Sequence, residues 1–252
     1  VEKGNGLGVA CWDYDKDGDQ DVYVANDMEA NFLYENDGGG KFTENGLFAG
    51  VAMSADGLAQ AGMGVDTADY DNDGDIDLFV TNYQLENNAL YRNEGTVFSE
   101  ESFSTGIGEY SLNYLGFGSL FVDYDNDGWT DIFVVNGHVH DNIEVYDELV
   151  TYAQHAQLFR NIKGQFIERE VKSKDAFEQK FVGRGALYAD YDADGDIDLA
   201  VTSSGRKFAL FQNNGGNKNN WLKVKLRGSK SNRDAVGALV ELWTNNRRQI
   251  KQ

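Results

Sequence analysis

Four nonapeptides of one pattern constrain this chain more than any other feature: Asp13–Asp21 (DYDKDGDQD), Asp69–Asp77 (DYDNDGDID), Asp123–Asp131 (DYDNDGWTD) and Asp190–Asp198 (DYDADGDID). Their first residues lie 56, 54 and 67 positions apart, the longest interval marking an insertion in the third unit. A period in this range means that one supersecondary unit is built several times and the copies stacked. Each copy has the same internal order. A Gly-x-Gly pair leads in (Gly6 and Gly8, Gly62 and Gly64, Gly116 and Gly118, Gly183 and Gly185), followed by an apolar run and then the acidic loop. The run after the loop is VYVAN (22–26), LFVTN (78–82), IFVVN (132–136) or LAVTS (199–203), rich in the β-branched and aromatic residues that strands favour. A third run, FLYEN (32–36), ALYRN (89–93), QLFRN (157–161) or ALFQN (209–213), precedes a turn and a fourth, KFTE (41–44), VFSE (97–100), QFIE (165–168) or WLKVKL (221–226).

Four short strands joined by tight turns make up a β-propeller blade. The expected fold is therefore all-β, with four recognisable four-stranded blades over 1–216 (1–50, 51–105, 106–172 and 173–216) and a C-terminal β-segment over 217–252. Helical periodicity is weak; only 141–156, inside the third-unit insertion, is expected to form a short helix.

Charge is concentrated, not spread. Nineteen of the 42 acidic residues stand in the four loops; the remaining 23 nearly balance the 22 bases, so the net charge of −20 belongs to the loops. Neutralising nucleic-acid phosphate needs a basic stripe, so DNA and RNA are excluded as partners. Carboxylates gathered in one register ask for cations. With loop positions numbered 1 to 9, aspartates at 1, 3, 5 and 9 converge on one centre when glycine at 6 makes the sharp turn and the carbonyl of position 7 points inward. That set of hard oxygen ligands suits Ca²⁺ better than Mg²⁺, which demands octahedral geometry and keeps its water. The expected ligands are the side chains of Asp13, Asp15, Asp17 and Asp21; Asp69, Asp71, Asp73 and Asp77; Asp123, Asp125, Asp127 and Asp131; Asp190, Asp192, Asp194 and Asp198. The backbone oxygens of Asp19, Asp75, Trp129 and Asp196 complete them, giving about four Ca²⁺ per chain. An EF-hand starts the same way, but it needs glutamate at position 12 and flanking helices. Position 12 is Val24, Val80, Val134 or Val201 between strands, so that reading fails in every copy.

The Gly-x-Gly, D-x-D-x-D-G-x-x-D and L-[YF]-x-N elements together resemble the FG-GAP/VCBS class of calcium-binding propeller repeats, similar to those of integrin α-subunit heads. The segments 26–36, 61–82, 121–138 and 183–199 and the tail NWLKVKLRGSKSNRDAVGALVEL (220–242) resemble more closely the cartilage acidic protein, or ASPIC/UnbV, family. That resemblance covers essentially the whole chain. It implies a non-catalytic, extracellular, secreted or periplasmic interaction module whose calcium is structural and whose partner is an unidentified protein or glycan. It also implies that the chain is a fragment cut at both ends, with further blades in a ring of roughly seven and a C-terminal segment truncated at Gln252.

Other residues carry weaker expectations. Cys11, the single cysteine, sits among apolar neighbours and is expected to be a buried, inert strand thiol. No apolar run approaches the ~18 residues needed to cross a bilayer. His138, His140 and His155 all fall in or beside the insertion; a transition-metal site there would support a secreted enzyme acting on polysaccharide, but the spacing matches no firm ligand rule. A calcium-dependent lectin is a further alternative, disfavoured because the loops close their own coordination spheres. Lys223, Lys225, Arg227, Lys230, Arg233, Arg247, Arg248 and Lys251 make the tail basic, which reads as a solvated strand face or as a contact for an anionic glycan or partner.

Overall fold

The computed structural model describes residues 3–172, 176–205, 208–244 and 247–252. Its secondary structure is almost entirely antiparallel sheet. The first blade comprises Gly6–Trp12, Asp21–Asn26, Phe32–Asn36 and Phe42–Glu44, hydrogen-bonded in chain order. The second comprises Val65–Ala68, Asp77–Val80, Ala89–Asn93 and Phe98–Glu100, and the third Gly116–Val122, Asp131–Asn136, Gln157–Ile162 and Gln165–Glu168. The fourth has Gly183–Ala189, Asp198–Ser203 and Ala209–Phe211. Together they form a propeller of four blades, with each acidic loop joining the first strand of its blade to the second.

The strand period of two explains why the blades stack. On the second blade Leu78, Val80 and Tyr91 face the first blade, meeting Trp12, Tyr23 and Leu33, while Phe79 and Leu90 face the third, meeting Phe121, Ile132 and Phe159. Phe133, Val135 and Leu158 of the third blade pack in turn on Leu199, Val201 and Phe211 of the fourth. Each interface is dry and aromatic-rich; Phe79, fully buried, would cost about 3–5 kcal/mol as alanine.

The second glycine of each Gly-x-Gly pair lies at these interfaces. A Cβ on Gly8 would stand 2.2 Å from the Met63 carbonyl oxygen, on Gly64 2.1 Å from that of Phe117, and on Gly118 2.6 Å from the Ala186 nitrogen. Only a residue without a side chain lets the next blade's leading strand approach so closely. At the ends of the row the first strands are open: Leu7 and Val9 on the first blade and Leu187 and Tyr188 on the fourth are exposed.

Three expectations are corrected. Cys11 is in a strand but exposed, because its neighbour Trp12 takes the buried side of the alternation. It turns instead toward a cavity of about 280 Å³ lined also by Asp66, Tyr188, Ile250 and Lys251. The stretch 141–156 holds only a 3₁₀ turn, Ile143–Val145, before Gln154–His155 pairs with Lys180–Phe181. Its carboxylates compete for the backbone: Glu144 accepts the Tyr152 N–H at 2.9 Å and Asp147 the Leu149 N–H at 3.0 Å, which a helix would need for itself. WLKVKL is not the fourth strand of the last blade. Asn219 donates to the Asp125 carbonyl at 2.9 Å and Trp221 packs on Gly195, drawing the chain across the loop face instead of back along Ala209–Phe211. The tail then closes as a hairpin, Val240–Thr244 with Arg247–Lys251, whose Ile250 enters the core between the first two blades.

Candidate metal centre

Each acidic loop is shaped by its own backbone. Position 6 is a glycine with φ of 99°, 95°, 85° and 98° (Gly18, Gly74, Gly128, Gly195), and position 4 is also left-handed at Lys16, Asn72, Asn126 and Ala193. The first conformation is strained for any residue with a side chain. The glycine N–H returns to the position 1 carboxylate: Gly18 to Asp13 at 3.0 Å, Gly74 to Asp69 at 3.1 Å and Gly128 to Asp123 at 2.9 Å. The N–H groups of positions 5 and 7 bond the carboxylates of 3 and 5, as Asp73 to Asp71 (3.1 Å) and Asp75 to Asp73 (2.9 Å). These bonds turn the carboxylates toward the loop backbone, although Asp17, Asp73, Asp192 and Asp194 remain exposed.

The result is four clusters. Oxygens of Asp13, Asp15 and Asp17 lie within 4.8 Å of one another, as do those of Asp69, Asp71 and Asp77; of Asp123, Asp125 and Asp127; and of Asp190, Asp192 and Asp194. Positions 1 and 3 thus meet in every loop, joined by position 5 in three and by position 9 in the second. Asp13 Oδ1 and Asp69 Oδ1 are buried without a hydrogen-bond partner, as is Asp196 Oδ1 at position 7 of the fourth loop. Buried, unpaired carboxylate oxygens are costly unless something neutralises them. A hard divalent cation fits this donor set: several carboxylates, no sulfur, no imidazole.

Electrostatics point the same way. Burial, reinforced by Asp71 and Asp73, pushes the Asp69 carboxyl up to about 7. Burial likewise pushes Asp123 up to about 6, and Asp131 up to about 8 with Asp125 adding to it. Asp21 rises to about 6, chiefly through burial, with Asp15 and Asp13 contributing, and Asp77, fully buried, stands well above the usual carboxylate range. These are carboxylates that the fold alone does not stabilise as anions.

Position 9 has a further task that the sequence motif did not reveal. Both oxygens of Asp21 accept backbone N–H groups, Tyr14 at 3.0 Å and Asn36 at 2.9 Å. Asp77 takes Tyr70 and Asn93, Asp131 takes Tyr124 and Asn161, and Asp198 takes Tyr191 and Asn213, all at 2.8–3.1 Å. The asparagine is the last residue of L-[YF]-x-N, so this carboxylate latches the third strand to the loop. Each oxygen keeps a second lone pair for a cation. That asparagine also joins blades: Asn93 Nδ2 donates to the Tyr14 carbonyl at 2.8 Å, Asn161 to Tyr70 at 2.8 Å and Asn213 to Tyr124 at 2.6 Å. Position 4 does the same from loop to loop, Asn72 reaching the Gly128 carbonyl and Asn126 that of Gly195, both at 3.2 Å.

These elements identify the repeat. The family model described as FG-GAP-like repeat matches residues 13–80 and 69–134. Residues 13–134 carry FG-GAP-like repeats. Over most of its length it is similar to cartilage acidic protein 1: 29% identical to the mouse protein over 238 residues, covering 89% of this chain and 33% of that one. The Xenopus tropicalis protein is 28% identical over 250 residues, covering 95% and 35%. The chain thus spans about a third of the length of the curated relatives it matches. Among solved structures, a match with a TM-score of 0.43 and 16% identity covers 79% of this chain and 50% of an Agrocybe aegerita lectin described by its recognition of non-reducing terminal N-acetylglucosamine. The fourth loop, 190–198, lies beyond the residues the repeat model matches, yet its latch and its carboxylate cluster repeat those of the others.

The remaining candidates resolve differently. The His138 and His140 rings stand 5.4 Å apart, but the three histidines do not form one site. His138 is fully buried, its Nδ1 accepting the His140 N–H at 3.0 Å and its Nε2 facing the Tyr83 hydroxyl at 3.3 Å, whereas His155 Nδ1 lies 3.0 Å from the Phe177 carbonyl. Among the described residues no metal-ligating cluster includes a histidine. The basic tail is in part neither a solvated face nor free: it lies on the acidic loops of its own chain. Arg247 donates to the Asp127 carbonyl at 2.7 Å and lies 4.8 Å over the Trp129 ring, Gln249 donates to the Gly128 carbonyl at 3.0 Å, and Lys223 pairs with Asp190 at 3.3 Å. Trp129, the one departure from aspartate at position 7, lies under the Arg247 guanidinium.

Proposed function

We propose that this chain is a non-catalytic, calcium-loaded propeller module that presents a rigid surface to an extracellular or periplasmic protein or glycan. The observation that carries the reading is the set of four carboxylate clusters, two of which bury a position 1 oxygen, Asp13 Oδ1 or Asp69 Oδ1, that has no hydrogen-bond partner among the described residues. Asp13, Asp15, Asp17 and Asp21 would hold one ion, and the corresponding residues of 69–77, 123–131 and 190–198 three more, with the position 7 carbonyls of Asp19, Asp75, Trp129 and Asp196 completing each shell. Calcium supplies positive charge at the start of each second strand. The chain's own residues do the rest: glycine at position 6 folds the loop, the position 9 carboxylate ties it to the third strand, and the asparagines tie each blade to the last. Ion binding then contributes directly to folding free energy.

The placement outside the cytoplasm follows from calcium chemistry, because loops of this kind in extracellular modules fill at the high calcium found there. The exposed leading strands at Leu7, Val9, Leu187 and Tyr188 are read as faces that receive further blades of the same type.

The test is calorimetric titration of calcium into chelator-stripped protein, with a magnesium control and a thermal melt at each end point. Near four calcium ions per chain and a large rise in melting temperature are expected. Asp71→Ala and Asp192→Ala should lower the melting temperature only when calcium is present; equal losses in chelator, or equal service by magnesium, would overturn the reading.

A further inference from the structure

We propose that the four loops bind calcium with graded strength, set by the variable residue of L-[YF]-x-N: the first loop is tight and the second and third are weak. This rests on the calcium reading above and adds a residue class outside the ligand set.

The variable residue immediately precedes the asparagine latched to position 9, so the strand register carries it over its own loop every time. On the second blade it is Arg92, whose Nε donates to Asp71 Oδ2 and Nη2 to Asp73 Oδ2, both at 2.7 Å. On the third it is Arg160, whose Nη2 lies 3.1 Å from Asp125 Oδ2 and 3.2 Å from Asp127 Oδ2. In both loops a guanidinium sits on the carboxylates of positions 3 and 5, two of the expected ligands. A divalent cation entering there must separate an ion pair and remain beside a positive charge. On the fourth blade the residue is Gln212, neutral, donating to Asp192 Oδ2 at 2.7 Å. On the first it is Glu35, held by the Tyr14 hydroxyl at 2.8 Å and the Asn45 amide at 2.9 Å. There the same position adds a negative charge, and among the described residues no cation is paired with Asp13, Asp15 or Asp17.

A second observation supports a ligand in the second loop: Asp69 is 3% exposed, and its Oδ1 lies unpartnered in the loop that Arg92 covers. Hard-cation sites built on one loop geometry span decades of affinity according to ligand charge and rigidity, and a full charge beside two ligands acts in that range. As calcium rises, the first loop fills while Arg92 and Arg160 still occupy their carboxylates; filling the second and third loops releases both guanidinium groups to the surface.

The experiment is calcium calorimetry on the chelator-stripped full chain, comparing the parent with Glu35→Arg and with the double variant Arg92→Gln, Arg160→Gln. The parent should show one tight site and a weaker class. The double variant should tighten two of the weaker sites roughly tenfold, and Glu35→Arg should weaken the tight site by a similar factor. Arg92→Lys, which keeps the charge, should leave the isotherm close to the parent's, separating charge from packing. Melts in chelator confirm that the variants fold. Four equivalent sites in the parent, or variants whose isotherms match it within twofold, would overturn the grading and leave the calcium reading standing. A parent that binds no calcium would overturn both.

Discussion

The second and fourth loops differ at one residue in nine, Asn72 against Ala193, yet they are different environments. Asp69 is almost wholly buried and its carboxyl rises to about 7. Asp190 occupies the same place, but although desolvation opposes it, the Gly195 N–H and the Lys223 ammonium hold its carboxyl below the ordinary range. Tyr70 at position 2 is 3% exposed and Tyr191 is 54% exposed. The second loop has a blade on either side; the fourth has a neighbour on one side and the tail on top. One motif therefore yields opposite electrostatics, because burial is supplied by neighbours and not by the nine residues themselves.

The largest test of that contrast is the latch. Asp77→Ala leaves the Tyr70 and Asn93 N–H groups unpaired in a buried setting, at about 2–6 kcal/mol, or roughly 4–24 °C in melting temperature. Asp198→Ala removes the same two bonds, but the freed Tyr191 N–H lies beside an exposed residue that water can reach, so the loss should be half or less. Equal losses in chelator would break the comparison.

A pH series on metal-free protein is the next effect in size. Asp69 and Asp131 have folded values near 7 and 8, raised above an unfolded value near 4. Their contribution is therefore full below about pH 4 and is lost progressively as pH rises from there to the folded values of about 7 and 8. Chelated protein should melt higher at pH 5 than at pH 8, and excess calcium should abolish the difference. Asp69→Asn should flatten the profile; Asp190→Asn should not. A profile that rises with pH in chelator would contradict the burial assigned to the second loop.

The smallest effect concerns the residue by which the two loops differ. Asn72→Ala deletes the bond to the Gly128 carbonyl and should cost about 1 kcal/mol. Ala193→Asn should leave the melting temperature nearly unchanged, because no following loop lies within the described residues to receive it.

Much of this was legible in the sequence because it is local. Alternating apolar runs placed eleven of the blade strands to within about two residues, and the loop register gave the carboxylates at positions 1 and 3 that every cluster shares. The misses are of one kind. Cys11 reads as buried because its neighbours are apolar, but which side of an alternating strand is covered depends on the next blade. The stretch 141–156 reads as a helix until Glu144 and Asp147 are seen bonding its backbone. WLKVKL reads as a strand until Asn219 and Trp221 are seen anchored elsewhere.

By itself, the sequence determined the unit: a period set by the acidic loops, strands set by alternation, glycines where the backbone must turn or be closely approached, and carboxylates brought into register by a nine-residue turn. Those are short-range consequences of sterics and of hydrogen bonds between near neighbours. The tertiary structure decided what each copy became: which carboxylates are buried and raised, which loop an arginine covers, and where the basic tail rests. Desolvation and charge pairing are fixed by what other blades bring within a few ångströms, and no single repeat carries that information.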